Sequence, residues 1–93
     1  IVLLDSKHCD KEYFEFKHIQ ENQLLCFELN KRKGNINTGF AIYFKPLNQR
    51  FVMSYDKYTY LTRMLKKRAY PSELEPIENY LKSVERRMNE NKP

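Results

Sequence analysis

The chain has 93 residues, a formal net charge of +5 and an apolar fraction of 41%. This length suits one small domain with a single core, and the apolar fraction argues against disorder as its main state. No apolar run approaches the ~20 residues that a membrane helix needs, so we expect no membrane association. Two cysteines, Cys9 and Cys26, cannot form a disulfide framework and favour a reducing, cytoplasmic setting.

The first predicted element is a strand over residues 1–9. Its first four residues are apolar, and the segment becomes polar from Asp5 onward, which is typical of a strand that leaves the core at one end. The apolar run begins abruptly at Ile1. We therefore expect that the chain is a fragment and that an upstream strand pairs with this one.

A long helix is predicted over residues 17–33, after a connection over residues 10–15. Gly34 is expected to end this helix, because glycine readily adopts the left-handed conformation that follows a helix. The expected buried face consists of Ile19, Cys26 and Leu29, flanked by Leu25 and Phe27.

Two strands follow, over residues 39–45 and 50–55, joined by a turn at residues 46–49. The first is apolar almost throughout, as expected of a central strand that is covered on both faces.

Two helices complete the chain. One is predicted over residues 57–68 with Asp56 as its cap. The other is predicted to follow a capping box formed by Ser72 and Glu75, with apolar residues recurring at helical spacing from position 77 to 88. The expected fold class is α/β, a small mixed sheet flanked by helices in the order β-α-β-β-α-α.

The segment Asp5-Ser6-Lys7 carries the most informative polar pattern. Asp5 and Lys7 are two residues apart on a predicted strand, so both side chains point to the same side. A carboxylate there can bind a divalent cation, and the neighbouring ammonium can activate water or stabilise charge on a phosphodiester. The alternative is a solvent-facing charge pair without function.

An acidic-x-Lys triplet is not specific in itself, because about 1.4 are expected by chance in this composition. The chain has two others, which begin at Glu15 and Glu90. Only Asp5-Ser6-Lys7 lies at the polar end of an apolar strand, and this position singles it out.

Gln23 is the second candidate, because it lies between Ile19 and Cys26 on the expected apolar face. A polar side chain in such a position needs a hydrogen-bonding partner. Gln23 is either bonded to backbone or water at the core boundary, or it lies next to a metal or an attacking water as a supporting group.

Basic clusters are the third feature. They favour phosphate contacts, although each also lies at a helix end, where solvated charges are common. The candidate nucleic-acid-binding residues are Lys31, Arg32, Lys33, Lys66, Lys67 and Arg68.

Other site chemistries find little support. The cysteines and histidines lack the paired spacing of a metal site. Only two glycines, Gly34 and Gly39, are present, so neither a dinucleotide-binding fingerprint nor a Walker loop can form.

The order of these segments resembles RecU-type Holliday junction resolvases, within the PD-(D/E)xK nuclease superfamily. The similarity covers residues 3–61. It consists of the strand with Asp5-Ser6-Lys7, the aromatic approach and helix over residues 13–24, and the hairpin and helix start over residues 39–44, 51–53 and 55–57.

This resemblance implies a restriction-endonuclease-like core and a Mg²⁺-dependent endonuclease that acts as a homodimer on branched DNA in recombination or repair. It makes Asp5 a metal ligand, Lys7 the catalytic lysine and Gln23 an accessory polar group. The sequence departs from the family in three ways. Asp5 stands where the family usually has Glu, Asn22 replaces a His, and the acidic residue of a preceding strand is absent from these 93 residues.

We therefore expect residues 1–93 to form a single nuclease-like domain that lacks an upstream strand and helix. Two alternatives remain open. One is a non-catalytic nucleic-acid-binding domain with a nuclease-like fold, which binds DNA without Mg²⁺. The other is a protein interaction module that uses its last helix.

Overall fold

The structure is a computed structural model and describes residues 1–90 of the chain. Its strands are β1 (Leu3–Cys9), β2 (Phe14–Glu15), β3 (Thr38–Phe44), β4 (Gln49–Ser54), β5 (Arg68–Ala69) and β6 (Glu75–Pro76). Its α-helices are α1 (Glu21–Arg32), α2 (Tyr55–Arg63) and α3 (Ile77–Glu90). The longer elements follow the predicted order β-α-β-β-α-α, and the two-residue strands β2, β5 and β6 were not predicted.

The main sheet is small and mixed, with the strand order β1-β3-β4-β6. β1 is parallel to β3, and α1 forms the crossover between them, as a parallel pair requires. β3 and β4 form an antiparallel hairpin, and β6 adds to β4. β2 and β5 form a separate two-stranded ladder. The described chain is thus an α/β domain with a four-stranded mixed sheet and three α-helices, which confirms the predicted class.

The sheet separates two apolar clusters. On one face, α1 and α2 pack against β3, where Phe27 contacts Phe40 edge to face with ring centroids 5.2 Å apart. On the other face, Tyr80 and Val84 of α3 pack against Val52 of β4. The central strand β3 is buried almost throughout, as its continuous apolar sequence predicted.

The predicted boundaries and buried face of the first helix were wrong. Residues 16–18 form a short 3-10 turn, and α1 begins only at Glu21. Phe27 is its buried residue, whereas Cys26 is exposed. The reason is tertiary, because the crossover to β3 selects the side that carries Phe27. Leu25 and Leu29 are left 59% and 53% exposed. Gly34 follows the helix at φ +92°, as predicted.

The second helix also differs from its prediction. Ser54, not Asp56, caps it, because the Ser54 Oγ accepts the Lys57 backbone N–H at 3.0 Å. The helix ends at Arg63, since Leu65 adopts a left-handed conformation with φ +62°. Residues 66–68 therefore lie beyond the helix rather than in its last turn.

The predicted capping box of Ser72 and Glu75 was wrong as well. Glu75 belongs to β6, and the Tyr70 backbone N–H donates instead to the Glu73 carboxylate at 3.0 Å. The last helix starts at Ile77. None of the described helices is both long enough and apolar enough to cross a membrane.

Candidate functional site

Strand β1 forms one edge of the main sheet and presents Asp5 and Lys7 on the face that α1 covers. Their partners across the parallel ladder are Phe40 and Ile42, both of which lie in the cluster beneath α1 and α2. The Asp5 and Lys7 side chains are 36% and 18% exposed, and Asp5 Oδ2 lies 3.3 Å from Lys7 Nζ. The predicted same-side placement is therefore realised as a half-buried ion pair.

Gln23 joins this pair from the first turn of α1. Its Nε2 donates to Asp5 Oδ2 at 2.7 Å, and its Oε1 accepts from Lys7 Nζ at 3.1 Å. The same Oε1 accepts the backbone N–H of Gln20 at 3.2 Å, which satisfies a free donor at the helix start. Asp5, Lys7 and Gln23 thus form a closed set of contacts, which we call the trio.

The trio holds both charged groups in place and engages one of the two oxygens of the Asp5 carboxylate. Within residues 1–90, the Gln23 and Lys7 contacts of Asp5 both use Oδ2, which leaves Oδ1 available to a cation. The Lys7 ammonium lies 6.0 Å from the Phe40 ring centroid, so an aromatic face limits the space on one side. The arrangement can hold a cation and place a positive charge beside it.

The trio supplies part of the ligand set that Mg²⁺ prefers. This cation prefers oxygen ligands and usually keeps several waters, with one or two carboxylates from the protein. Asp5 supplies one carboxylate. The described residues contain no group of three or more Cys, His, Asp or Glu side chains that could hold a metal, so the trio offers one strong ligand rather than a closed cage.

A concave surface next to Asp5 lies between β1 and α1. Leu3, Asn22, Gln23 and Cys26 contribute to its lining. Asn22, where the resembled family has a His, is exposed at this surface and lies one position before the trio's glutamine. The site is therefore reachable from the free edge of the sheet.

The first predicted basic cluster lies at the end of α1. Lys31 Nζ is 2.9 Å from Asp56 Oδ1, and Arg32 Nε is 3.7 Å from Glu28 Oε1. Both cations already have a carboxylate partner, and Lys33 is the exposed residue that follows the helix.

The second predicted cluster lies elsewhere, at the loop after α2. Lys66, Lys67 and Arg68 line a concave surface together with Lys17. Lys17 was not predicted as a functional residue. Its signal in the sequence was the triplet that begins at Glu15, which was set aside because it does not follow an apolar strand.

The remaining acidic-x-Lys triplet begins at Glu90, and its lysine lies outside the described residues. A further cavity of about 560 Å³ lies on the α3 face of the sheet, bordered by Val52, Tyr80 and Arg87. It does not include the trio, and no sequence prediction concerned it.

Models of known protein families, curated proteins and solved structures gave no match to this chain.

Proposed function

We propose that this chain is the core of a Mg²⁺-dependent DNA endonuclease of the Holliday junction resolvase type, which hydrolyses phosphodiester bonds in branched DNA. The observation that carries this proposal is the trio. A strand carboxylate, a strand ammonium and a helix amide meet within hydrogen-bonding distance at an open edge of the sheet.

Each member of the trio has a distinct role in this proposal. Asp5 holds Mg²⁺ through its free oxygen, and Lys7 places its ammonium beside the phosphate, where negative charge develops during hydrolysis. When bound, Mg²⁺ supplies Lewis-acid polarisation and lowers the pKa of a bound water. Gln23 contacts both charged groups, so it is a positioning residue rather than a catalytic one.

Local topology supports a restriction-endonuclease-like fold. β1 carries the acidic-x-Lys triplet, and a helical crossover joins it to a parallel neighbour, β3. The crossover puts the first turn of α1 directly over the triplet. This explains why Gln23, 16 residues from Lys7 in the chain, reaches both of its partners.

A second carboxylate would bring the site to the upper number that Mg²⁺ usually takes from a protein. One route is an element paired along the free edge of β1, because such an element adds its side chains to the face that carries Asp5.

We propose that the enzyme acts as a homodimer on branched DNA, so that two sites address two strands of one junction.

Cleavage of branched DNA tests this function. Wild-type protein is expected to cut a four-way junction in Mg²⁺ and not in excess chelator, and Asp5→Ala and Lys7→Ala each lose at least ~10²-fold in rate. Lys82→Ala is the matched control, because Lys82 is exposed on α3, across the sheet from the trio. Unchanged cleavage by Asp5→Ala and Lys7→Ala would refute the assigned roles.

A non-catalytic DNA-binding domain is the second candidate function. The single carboxylate of the trio favours it, because no cluster of three metal-ligating side chains occurs in residues 1–90. This candidate predicts salt-sensitive DNA binding that needs no Mg²⁺ and is accompanied by no cleavage.

A further inference from the structure

A positively charged groove lies between the turn after β2 and the loop after α2. Its lining includes the Tyr58 side chain, the Glu15 carboxylate and four cations, those of Lys17, Lys66, Lys67 and Arg68. We call this surface the basic groove. Four cations stand against one carboxylate there, and Lys17, Lys66, Lys67 and Arg68 are all exposed.

Backbone contacts build the basic groove. Glu15 of β2 pairs with Arg68 of β5, and the Phe16 N–H donates to the Lys67 carbonyl at 3.0 Å. The left-handed conformation of Leu65 turns the chain away from α2 and brings this loop to the ladder. The cations therefore stand on paired backbone, which reduces the entropy lost when an anion binds.

Glu15 does not cancel the charge of the groove. Its carboxylate lies 3.4 Å from Lys17 Nζ and 3.6 Å from Lys11 Nζ, so one acid faces two ammonium groups. Desolvation acts to raise the pKa of Glu15, but Lys17 and Lys11 outweigh it and hold that pKa below its usual value. Glu15 is thus ionised at neutral pH, and the groove still keeps an excess of positive charge.

An aromatic chain connects the basic groove to the trio. Lys7 Nζ lies 6.0 Å from the Phe40 ring, and Phe40 contacts Tyr58 with centroids 6.3 Å apart. Tyr58 in turn contacts Phe16 edge to face at 5.1 Å. The groove and the trio therefore belong to the same layer of the molecule, above the same face of the sheet.

The basic cluster at the end of α1 differs from the basic groove in its carboxylate partners. Lys31 is held by Asp56 at the start of α2, and Arg32 by Glu28. A phosphate would have to compete there with two carboxylates for Lys31 and Arg32. Among the described residues of the basic groove, Glu15 is the one carboxylate, and Lys17 shares it with Lys11, whereas Lys66 and Lys67 are exposed beside other cations. Similar runs of basic sequence thus present different electrostatic surfaces.

The geometry points to the basic groove as the surface that binds the phosphodiester backbone of the nucleic acid, with Lys17 as a member and the α1 cluster outside it. This assignment rests on the proposed function only for the identity of the polymer as DNA. Because backbone contacts are electrostatic, the groove contributes affinity and salt dependence rather than sequence preference.

Fluorescence anisotropy with labelled four-way-junction and duplex DNA tests this assignment, in chelator so that no cleavage intervenes. The groove variant combines Lys17→Gln, Lys66→Gln and Lys67→Gln. A second variant combines Lys31→Gln, Arg32→Gln and Lys33→Gln. The matched control removes three charges elsewhere through Lys45→Gln, Lys82→Gln and Arg86→Gln.

The groove variant is expected to lose about 3 from the slope of log Kd against log salt concentration, roughly one per phosphate contact. The α1 variant and the control are expected to lose less than about 1. Equal losses in all three variants, a larger loss in the α1 variant, or no salt-dependent binding by wild type would overturn the assignment. Binding through the groove without cleavage in Mg²⁺ would leave it standing and refute the endonuclease alone.

Discussion

Asp5 and Lys7 are two residues apart on an edge strand, and their charged ends meet at 3.3 Å, with one glutamine amide bonded to both. An exposed pair of this kind contributes little to stability. Here the pair is half-buried, and Gln23 holds it from a neighbouring helix, so its geometry is fixed by two elements of backbone, β1 and α1, rather than by one. This arrangement suits a site that must present both charges in a constant position.

Gln23→Leu is expected to show that Gln23 both stabilises the fold and positions Asp5 and Lys7. It removes the bonds to Asp5 and Lys7 and the acceptor for the Gln20 N–H, so the free energy of unfolding falls by about 1 kcal/mol. Because Gln23 positions the reacting groups without binding DNA, kcat is expected to fall while KM stays within about 2-fold.

Urea denaturation and steady-state cleavage measure these two quantities. Gln23→Glu is the matched variant, because it keeps an acceptor for Gln20 and adds a second carboxylate beside Asp5. Calorimetric titration is expected to show tighter Mg²⁺ binding for Gln23→Glu than for wild type. A kcat unaffected by Gln23→Leu would contradict the positioning role.

Gly39 is expected to tolerate no side chain. A Cβ at this position would meet the Met53 carbonyl oxygen and would stand 2.7 Å from Ser54 Cα, both of them backbone of β4. Gly39→Ala must therefore shift β3 against β4, and we expect it to lower the free energy of unfolding by about 3 kcal/mol.

Gly34→Ala is the control for this prediction. Gly34 has open space around it, so the substitution costs only its left-handed conformation, about 1 kcal/mol. Urea midpoints that are equal for the two variants would show that the close approach of the strands does not limit position 39.

Tyr55 is expected to make the free energy of unfolding fall at alkaline pH. Burial, and then the hydrogen bond to the Glu28 carboxylate at 2.7 Å, raise the pKa of Tyr55 to about 12 from its ordinary 10. A group with a raised folded-state pKa contributes its stability fully below the unfolded pKa. The contribution of Tyr55 is therefore complete below about pH 10 and is lost between about pH 10 and 12.

Chemical denaturation of wild type and Tyr55→Phe over this range isolates the effect, because groups that do not contact Tyr55 contribute equally to the stability of both proteins. The stability difference between the two is expected to shrink as pH rises through the window. Ultraviolet titration of tyrosinate is expected to lose its latest-titrating component in Tyr55→Phe. A constant stability difference would contradict this account.

Leu65 occupies a position that favours glycine. It has φ +62°, it is 88% exposed, and the following Lys66 N–H closes the helix end by donating to the Leu61 carbonyl. Leu65→Gly removes the strain of a left-handed L-residue and gives up little buried surface. It is expected to raise the free energy of unfolding by about 1 kcal/mol.

The neighbouring Met64→Gly serves as the comparison. Met64 has φ −82°, so glycine relieves no strain there and is expected to destabilise by about 0.5–1 kcal/mol. The unfolding temperatures of the two variants are therefore expected to shift in opposite directions. A lower unfolding temperature for Leu65→Gly would show that Leu65 is not strained in its left-handed conformation.

Local patterns in the sequence predict the long elements and part of the site. Two-residue alternation placed Asp5 and Lys7 on one side of a strand, and the continuous apolar run of β3 indicated a central strand. Gln23 was singled out because it lies between Ile19 and Cys26 on the expected apolar face. Cys26 is exposed, so that face was wrong. Gln23 does have partners, however, in Asp5 and Lys7. These features depend on residues that are close in the chain, which is why sequence patterns could predict them.

Features set by contacts between distant parts of the chain could not be predicted from such patterns. Cys26 and Phe27 are adjacent and both apolar, so only the crossover to β3 decides that Phe27 is buried. The end of α2 depends on Leu65 adopting a conformation that leucine disfavours. The basic groove needs the pairing of β2 with β5, two strands too short to leave a periodic signal.

The most direct test of the central claim is the single-turnover rate of cleavage of a four-way junction in Mg²⁺, with enzyme above its Kd for DNA. At saturation, differences in DNA binding no longer affect the rate, so only the chemical step is compared. We predict that Asp5→Asn and Lys7→Met each bind the junction like wild type but cut it at least ~10²-fold more slowly. Cleavage at the wild-type rate by both variants, or metal-independent cleavage by wild type, would contradict the claim.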